Sequence, residues 1–204
     1  MKFAIVSGSH RPNSESSKVA QFIAKILETE FPDSHNLLLD LGKEPLPEWE
    51  ESKWDEEAEK WKKIWEPISN QLKQCDALIV VSPEWGGMVP PQLKNFFLLC
   101  GEYELGHKPG LIVAVSASRG GAYPVAELRI SSYKNTYLLW IPDHVIVRDV
   151  ENVLNEHFQA TSKDDQYIQD RLLYSLKVLH TYAQCLIPLR TSGVIDYDKY
   201  PYGM

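Results

Sequence analysis

Five short apolar runs recur along the chain, each separated from the next by enough residues for a helix. They cover residues 3–7 (FAIVS), 37–41 (LLLDL), 77–82 (ALIVVS), 111–116 (LIVAVS) and 144–148 (HVIVR). The runs are nearly continuous rather than alternating, as a strand covered on both faces requires. The intervening segments predict helices over residues 16–30, about 55–74, 91–101 and about 126–139. A last helix is expected over about 165–186, where Ile168, Leu172, Leu176, Leu179, Ala183 and Leu186 form one apolar stripe. Strands alternating with helices in this way predict an α/β fold: a doubly wound parallel sheet in a three-layer sandwich. No repeat, low-complexity tract or Gly/Ser linker interrupts the pattern, so a single domain over 1–204 is expected.

Two segments do not fit this alternation. Residues 44–66 read as an insertion that leads into the second helix and hold four of the six tryptophans. Trp54, Trp61, Trp65, Ile68 and Leu72 recur at near-heptad spacing and predict one buried face, with Pro67 kinking the helix or restarting it. From about 188 to 204 the sequence LRTSGVIDYDKYPYGM predicts an extended tail, docked through its tyrosines.

Charge and cysteine content narrow the function. The net charge is −7, which argues against a nucleic-acid partner, and five of those charges belong to 44–66, where nine acidic residues face four lysines. No run nears the ~20 apolar residues of a membrane span, and the first residues lack a signal peptide's long apolar region. Cys75, Cys100 and Cys185 are widely spaced and odd in number, which predicts free thiols acting as small core residues in a reducing cytoplasm. Histidines 10, 35, 107, 144, 157 and 180 show no ligand spacing, so no metal site is expected.

Candidate chemistry begins after the first strand, in Ser7-Gly8-Ser9-His10-Arg11-Pro12-Asn13-Ser14-Glu15-Ser16-Ser17-Lys18. In a doubly wound fold this loop opens at the carboxyl edge of the sheet, where a helix N-terminus favours an anion. Serine hydroxyls and Arg11 add donors for a terminal phosphate. The loop matches neither GxxxxGK nor GxGxxG, which lowers the case for ATP, GTP or a Rossmann dinucleotide. The loop alone is equally compatible with Ser14 or Ser16 capping the helix and Arg11 being a solvated charge.

Three motifs together resemble the NAD(P)H-dependent FMN reductase family, whose flavodoxin-like members reduce quinones, azo compounds and chromate. Gly8, Ser9, Arg11 and Ser14 match its G-S-x-R-x-x-S pattern, with Ser16 where many members have asparagine. The run from Ser82 to Phe96 (SPEWGGMVPPQLKNF) is similar to its [ST]-P-E-[YF]-N-x-x-[IV]-P-x-x-L-K-N, and Ser116 to Gly121 followed by Glu127-Leu128-Arg129 is the third match. The resemblance covers roughly residues 1–150. Trp85 departs from the usual tyrosine or phenylalanine, Gly86 from asparagine, and Tyr123-Pro124 from a Gly-Gly pair.

The resemblance implies a five-stranded sheet of order 2-1-3-4-5 and FMN as cofactor, with NAD(P)H as co-substrate. Ser9, Arg11, Ser14 and Ser16 would hold the phosphate. Pro83, Glu84, Trp85, Gly86, Gly87 and Met88 would line one edge of the isoalloxazine, and Ser118, Arg119, Gly120 and Gly121 the other. Flavin chemistry requires no catalytic side chain, and Glu84 is expected to brace its loop or an interface. The partner would be a small electron acceptor. A homodimer or homotetramer is expected, with the helix from Pro91 near the contact, and the acidic insertion as a substrate lid or subunit contact. Two other functions fit this fold: a flavodoxin-like electron carrier, and a nucleoside deoxyribosyltransferase with Glu84 as nucleophile.

Overall fold

The computed structural model describes residues 1–55, 57–156 and 159–203. Glu56 of the acidic segment and His157 lie outside the described residues. Strands β1 (Lys2–Ser7), β2 (His35–Asp40), β3 (Ala77–Pro83), β4 (Pro109–Val115) and β5 (Leu139–Val147) pair in parallel. Their order is β2-β1-β3-β4-β5, as expected.

The two-residue period of a strand sends alternate side chains to opposite layers. Phe3, Ile5, Ile79, Val81, Leu111 and Val113 pack against helices α1 (Glu15–Glu30) and α7 (Lys163–Thr191). Ala4, Val6, Leu78, Val80, Ile112 and Ala114 face the opposite layer. That layer comprises α2 (Glu59–Ile64), α3 (Glu66–Lys73), α4 (Pro91–Leu99), α5 (Glu102–Leu105) and α6 (Ala122–Ile130). Both faces of β3 and β4 are thereby buried, which explains their unbroken apolar runs.

Local chemistry moves several boundaries. The second predicted helix is split in two, and Pro67 lies in the first turn of α3, where its missing N–H costs nothing. Trp61 and Trp65 are buried on the expected face, but Trp54 falls in a separate 3-10 turn (Glu51–Trp54), 70% exposed and edge-on to Trp49. The helix expected over 126–139 runs instead from 122 to 130. Ser131 and Ser132 turn their hydroxyls back to the carbonyls of Glu127 and Leu128 and close it there. The released residues lengthen β5, an edge strand that can include Pro142 beside a register shift against β4. Helix α7 continues through Pro188 to Thr191, so the tail begins later than expected.

Cys75 and Cys100 are buried and burial raises both thiols, Cys75 to about 11; Cys185 is exposed, because it falls off the apolar stripe of α7. Among the described residues no group of His, Cys, Asp or Glu could hold a metal ion, and no helix is long and apolar enough to cross a membrane.

The acidic segment is anchored, not free. Asn95 of α4 accepts from the backbone N–H of Trp49 (2.7 Å) and donates to the Pro47 carbonyl (2.9 Å). Leu46, Trp61 and Trp65 join the core around Phe96. The tail is docked by Tyr197, whose ring lies against Tyr103, His107 and Tyr137. At the opposite end of the sheet from the carboxyl-edge loops, buried Lys108 donates to the carbonyls of Leu72, Lys73 and Glu104, closing the ends of α3 and α5. Burial lowers its ammonium to about 8.

Candidate functional site

The three motif loops meet at the carboxyl edge of β1, β3 and β4. In the first, Gly8 donates to the Val81 carbonyl, and its α-carbon lies so near Leu93 that an added Cβ would come within 2.6 Å of that side chain. Ser9 is buried, and its hydroxyl accepts from the Arg11 N–H at 3.2 Å, curling the loop. Ser14 caps α1 by accepting from the Ser17 N–H at 3.1 Å, while Ser17 donates to Asp40 at 2.5 Å. Ser14 thus occupies the Ser17 N–H, whereas those of Glu15 and Ser16 have no partner within the helix, so this loop presents donors and a positive dipole end.

The second loop is a hairpin turn. Trp85 and Met88 exchange both backbone hydrogen bonds at 3.1 Å, and Gly86 and Gly87 have φ of +58° and +76°. Positive φ at both central positions defines a type I′ turn, which favours glycine or asparagine. Glycine at position 86 therefore suits the positive φ that this turn requires. The hairpin reaches back to loop one: the Arg11 guanidinium lies 4.8 Å from the Trp85 ring centre, and His10 meets that ring edge-on at 4.6 Å.

Glu84 joins the second loop to the third. Its own N–H donates to the Val115 carbonyl at 3.0 Å. Its carboxylate accepts from the N–H groups of Gly121 (2.6 Å) and Tyr123 (3.3 Å) at the start of α6. An added Cβ at Gly120 would come 2.7 Å from this carboxylate, so glycine is what lets the loops close up. Gly121 adopts φ +105°, a left-handed conformation suited to the turn into α6. The Tyr123 ring, at one of the positions that depart from a Gly-Gly pair, lies beside Gly87. Arg148 donates to the carbonyls of Arg119 and Gly120, holding the far side of this loop.

Together the loops enclose a cavity of about 370 Å³, within the usual range for small-molecule sites. Ser9, Arg11, Ser14, Ser16, Pro83, Glu84 and Trp85 line it. Gly86, Gly87, Met88, Ser118, Arg119, Gly120 and Gly121 are not among its lining residues and belong to the hairpin and the third loop. Sequence reasoning missed Asn13, Glu15, Ser116 and Ala117, all within or beside the motifs it used. It also missed Val150 and Glu151, which follow β5 and carry no motif; they arrive because Asp149 and Val150 donate to the carbonyls of Ser118 and Ser116. No described residue of 44–66 lines this cavity.

The cavity suits a molecule with an anionic end and a flat apolar body. Hydroxyls, Arg11 and the α1 N-terminus supply polar lining, while Pro83, Val115, Ala117 and Trp85 supply apolar walls. Of its three carboxylates, Glu15 pairs with Lys18 at 2.5 Å, Glu84 is held by the α6 N-terminus, and Glu151 is exposed to solvent.

Residues 1–150 match the family model described as NADPH-dependent FMN reductase. The chain is 28% identical over 147 residues to an NADPH azoreductase of Bacillus sp. (strain OY1-2), covering 72% of this chain and 76% of that protein. It is 28% identical over 177 residues to a 2-hydroxy-1,4-benzoquinone reductase of Burkholderia sp, covering 83% and 91%. Among solved structures, FerB, a flavoenzyme NAD(P)H:(acceptor) oxidoreductase of Paracoccus denitrificans, shares the fold. Its TM-score is 0.68 at 18% identity, covering 91% of this chain and 98% of that one.

Proposed function

The chain belongs to the NADPH-dependent FMN reductase family, and from that premise we propose that the 370 Å³ cavity is its FMN site. The protein is an oxidoreductase with FMN as cofactor and NAD(P)H as co-substrate, and it reduces a small acceptor. The observation that carries the site assignment is one cavity joining an anion-binding loop to an aromatic hairpin across Glu84. Bound FMN would supply the redox chemistry, taking hydride from NAD(P)H and passing electrons to the acceptor.

The chain's own groups bind and orient. Ser9, Arg11, Ser14 and Ser16 would hold the phosphate through hydroxyl, guanidinium and first-turn N–H donors. Pro83 to Met88 would flank one ring edge, the Gly86-Gly87 turn letting backbone approach closely. Ser118 to Gly121 would close the other. Trp85 and Tyr123 would shield the ring from water and offer a flat surface to a planar acceptor. The relatives' names favour quinones and azo compounds as that acceptor.

Glu84 has a positioning role in this scheme, with one carboxylate oxygen accepting from two N–H groups, and the family match favours a reductase over a deoxyribosyltransferase. Residues 1–204 would form a single FMN-binding domain. A cytoplasmic location accords with three free cysteines. A homodimer through α4 is supported by exposed Met88, Leu98, Tyr123, Ile130 and Tyr133, beside a cleft of about 530 Å³ between α4 and the end of α6.

The site is tested by purifying the protein with FMN and adding NADPH or NADH without oxygen. The expected result is a yellow protein that bleaches and recovers its colour with a quinone. A protein that refuses FMN would overturn the reading; one that binds FMN but is not bleached would instead be a carrier. Light scattering at micromolar concentration tests the dimer, and a monomeric mass would refute it.

A further inference from the structure

Lys18 stands in the anion loop as read from sequence, yet it does not face the cavity. Its Nζ lies 2.5 Å from the Glu15 carboxylate, 2.6 Å from the Val150 carbonyl, 3.1 Å from the Val153 carbonyl and 2.8 Å from Asn155 Oδ1. An ammonium has three protons, and four oxygens around it leave no donor for a bound phosphate. The first contact belongs to a residue of the cavity lining, and the next three belong to the β5–α7 loop that supplies Val150 and Glu151 to the same lining. Asn155 in turn donates to the Glu151 carbonyl at 2.9 Å, so the loop closes on itself around the ammonium.

We propose that Lys18 is a positioning residue for the FMN phosphate, acting by neutralising Glu15 on the cavity wall and tying the β5–α7 loop to the start of α1. The inference rests on the site assignment above. Its physical content is a charge balance. Glu15 sits at the first position of α1, where a carboxylate favours the helix but competes with a phosphate for the same dipole end. Lys18, one turn further on, cancels that charge on the side away from the cavity. Without it, Glu15 would add an uncompensated charge to the cavity wall beside the helix start, where solvent-exposed Glu151 is already present.

The experiment compares the affinity for FMN with that for riboflavin, which lacks the phosphate, by quenching of flavin fluorescence. The wild type is expected to prefer FMN. Lys18→Met should lower the FMN-to-riboflavin preference by roughly fivefold, in keeping with one partly exposed charge. Glu15→Gln, which leaves the ties from Lys18 to the loop in place, should raise the preference by a similar factor. The double variant should return it to within about twofold of wild type. Equal weakening of both ligands by Lys18→Met would show a purely structural role and overturn the inference. An unchanged preference in Glu15→Gln would do the same, even if Lys18→Met did not fold. Failure of the wild type to bind FMN, or equal binding of both flavins, would remove the phosphate site itself and the inference with it.

Discussion

Replacing Glu84 by alanine should weaken the protein in two separable ways. Its carboxylate is the acceptor for two N–H groups at the start of α6, and it crosses from the hairpin to the third loop. Losing a helix-capping acceptor costs about 1 kcal/mol, and losing a negative charge at a helix N-terminus costs about 0.5 kcal/mol more. Water can reach this half-buried position, which keeps the total for Glu84→Ala near 1.5 kcal/mol rather than the larger penalty of a sealed site. Glu84→Gln retains an acceptor oxygen and the side chain's length, so its cost should be about 0.5 kcal/mol. Urea unfolding of the FMN-free protein, followed by tryptophan fluorescence, measures both. FMN titration should then show Glu84→Ala several-fold weaker, because the two loops flanking the ring lose their common anchor. A Glu84→Ala variant within about 0.5 kcal/mol of wild type, the usual scatter for a surface change, would refute this role for Glu84. Equal destabilisation of the glutamine and alanine variants would refute it too.

Other substitutions probe the turn and the buried charge. Gly86→Asn should leave stability within about 0.5 kcal/mol, whereas Gly87→Val should cost about 1–2 kcal/mol. An added Cβ at Gly87 meets no atom closer than 3.8 Å, so the β-carbon itself has room and the positive φ carries the cost; equal effects in urea unfolding would refute the type I′ assignment. Asp165 is fully buried and accepts from the N–H groups of Leu154 and Thr161 at 2.9 Å, so Asp165→Ala should cost about 2–4 kcal/mol. Burial works against its ionisation, but these bonds, with those from Gln169 and the Thr161 hydroxyl, hold its pKa below the ordinary aspartate value. A lowered folded-state value means its stabilisation is complete above the ordinary aspartate range and fades as pH falls through it. The stability gap between wild type and Asp165→Asn should therefore narrow on acidification; a gap that widened would contradict this.

The elements that were legible in the sequence are those whose signal is local. Continuous runs such as ALIVVS name a strand covered on both sides, because only burial on both faces tolerates an apolar residue at every position. Glycines at 86 and 87 and serine at 14 could be read as turn and cap chemistry, since backbone conformation and first-turn donors depend on a few adjacent residues. Boundaries were less legible where the deciding bond is distant. The start of α6 is set by Glu84, nearly forty residues earlier, and β5 could include Pro142 only because the sheet places it at an edge.

The tertiary structure alone decided how charge is disposed around the site. In sequence, Lys18 counts as a cation of the anion loop; in space it is consumed by Glu15 and the β5–α7 loop, leaving Arg11 stacked on Trp85 as the cation lining the cavity. Val150 and Glu151 carry no motif and enter the site through hydrogen bonds to the third loop. The acidic, tryptophan-rich segment looked detached in composition, yet Asn95 and Phe96 bind it into the core, away from the cavity. Periodicity and turn chemistry are properties of neighbouring residues, so the chain carries them openly. Which groups share a cavity depends on contacts across more than a hundred residues, and those form only once the sheet has brought its carboxyl edges together.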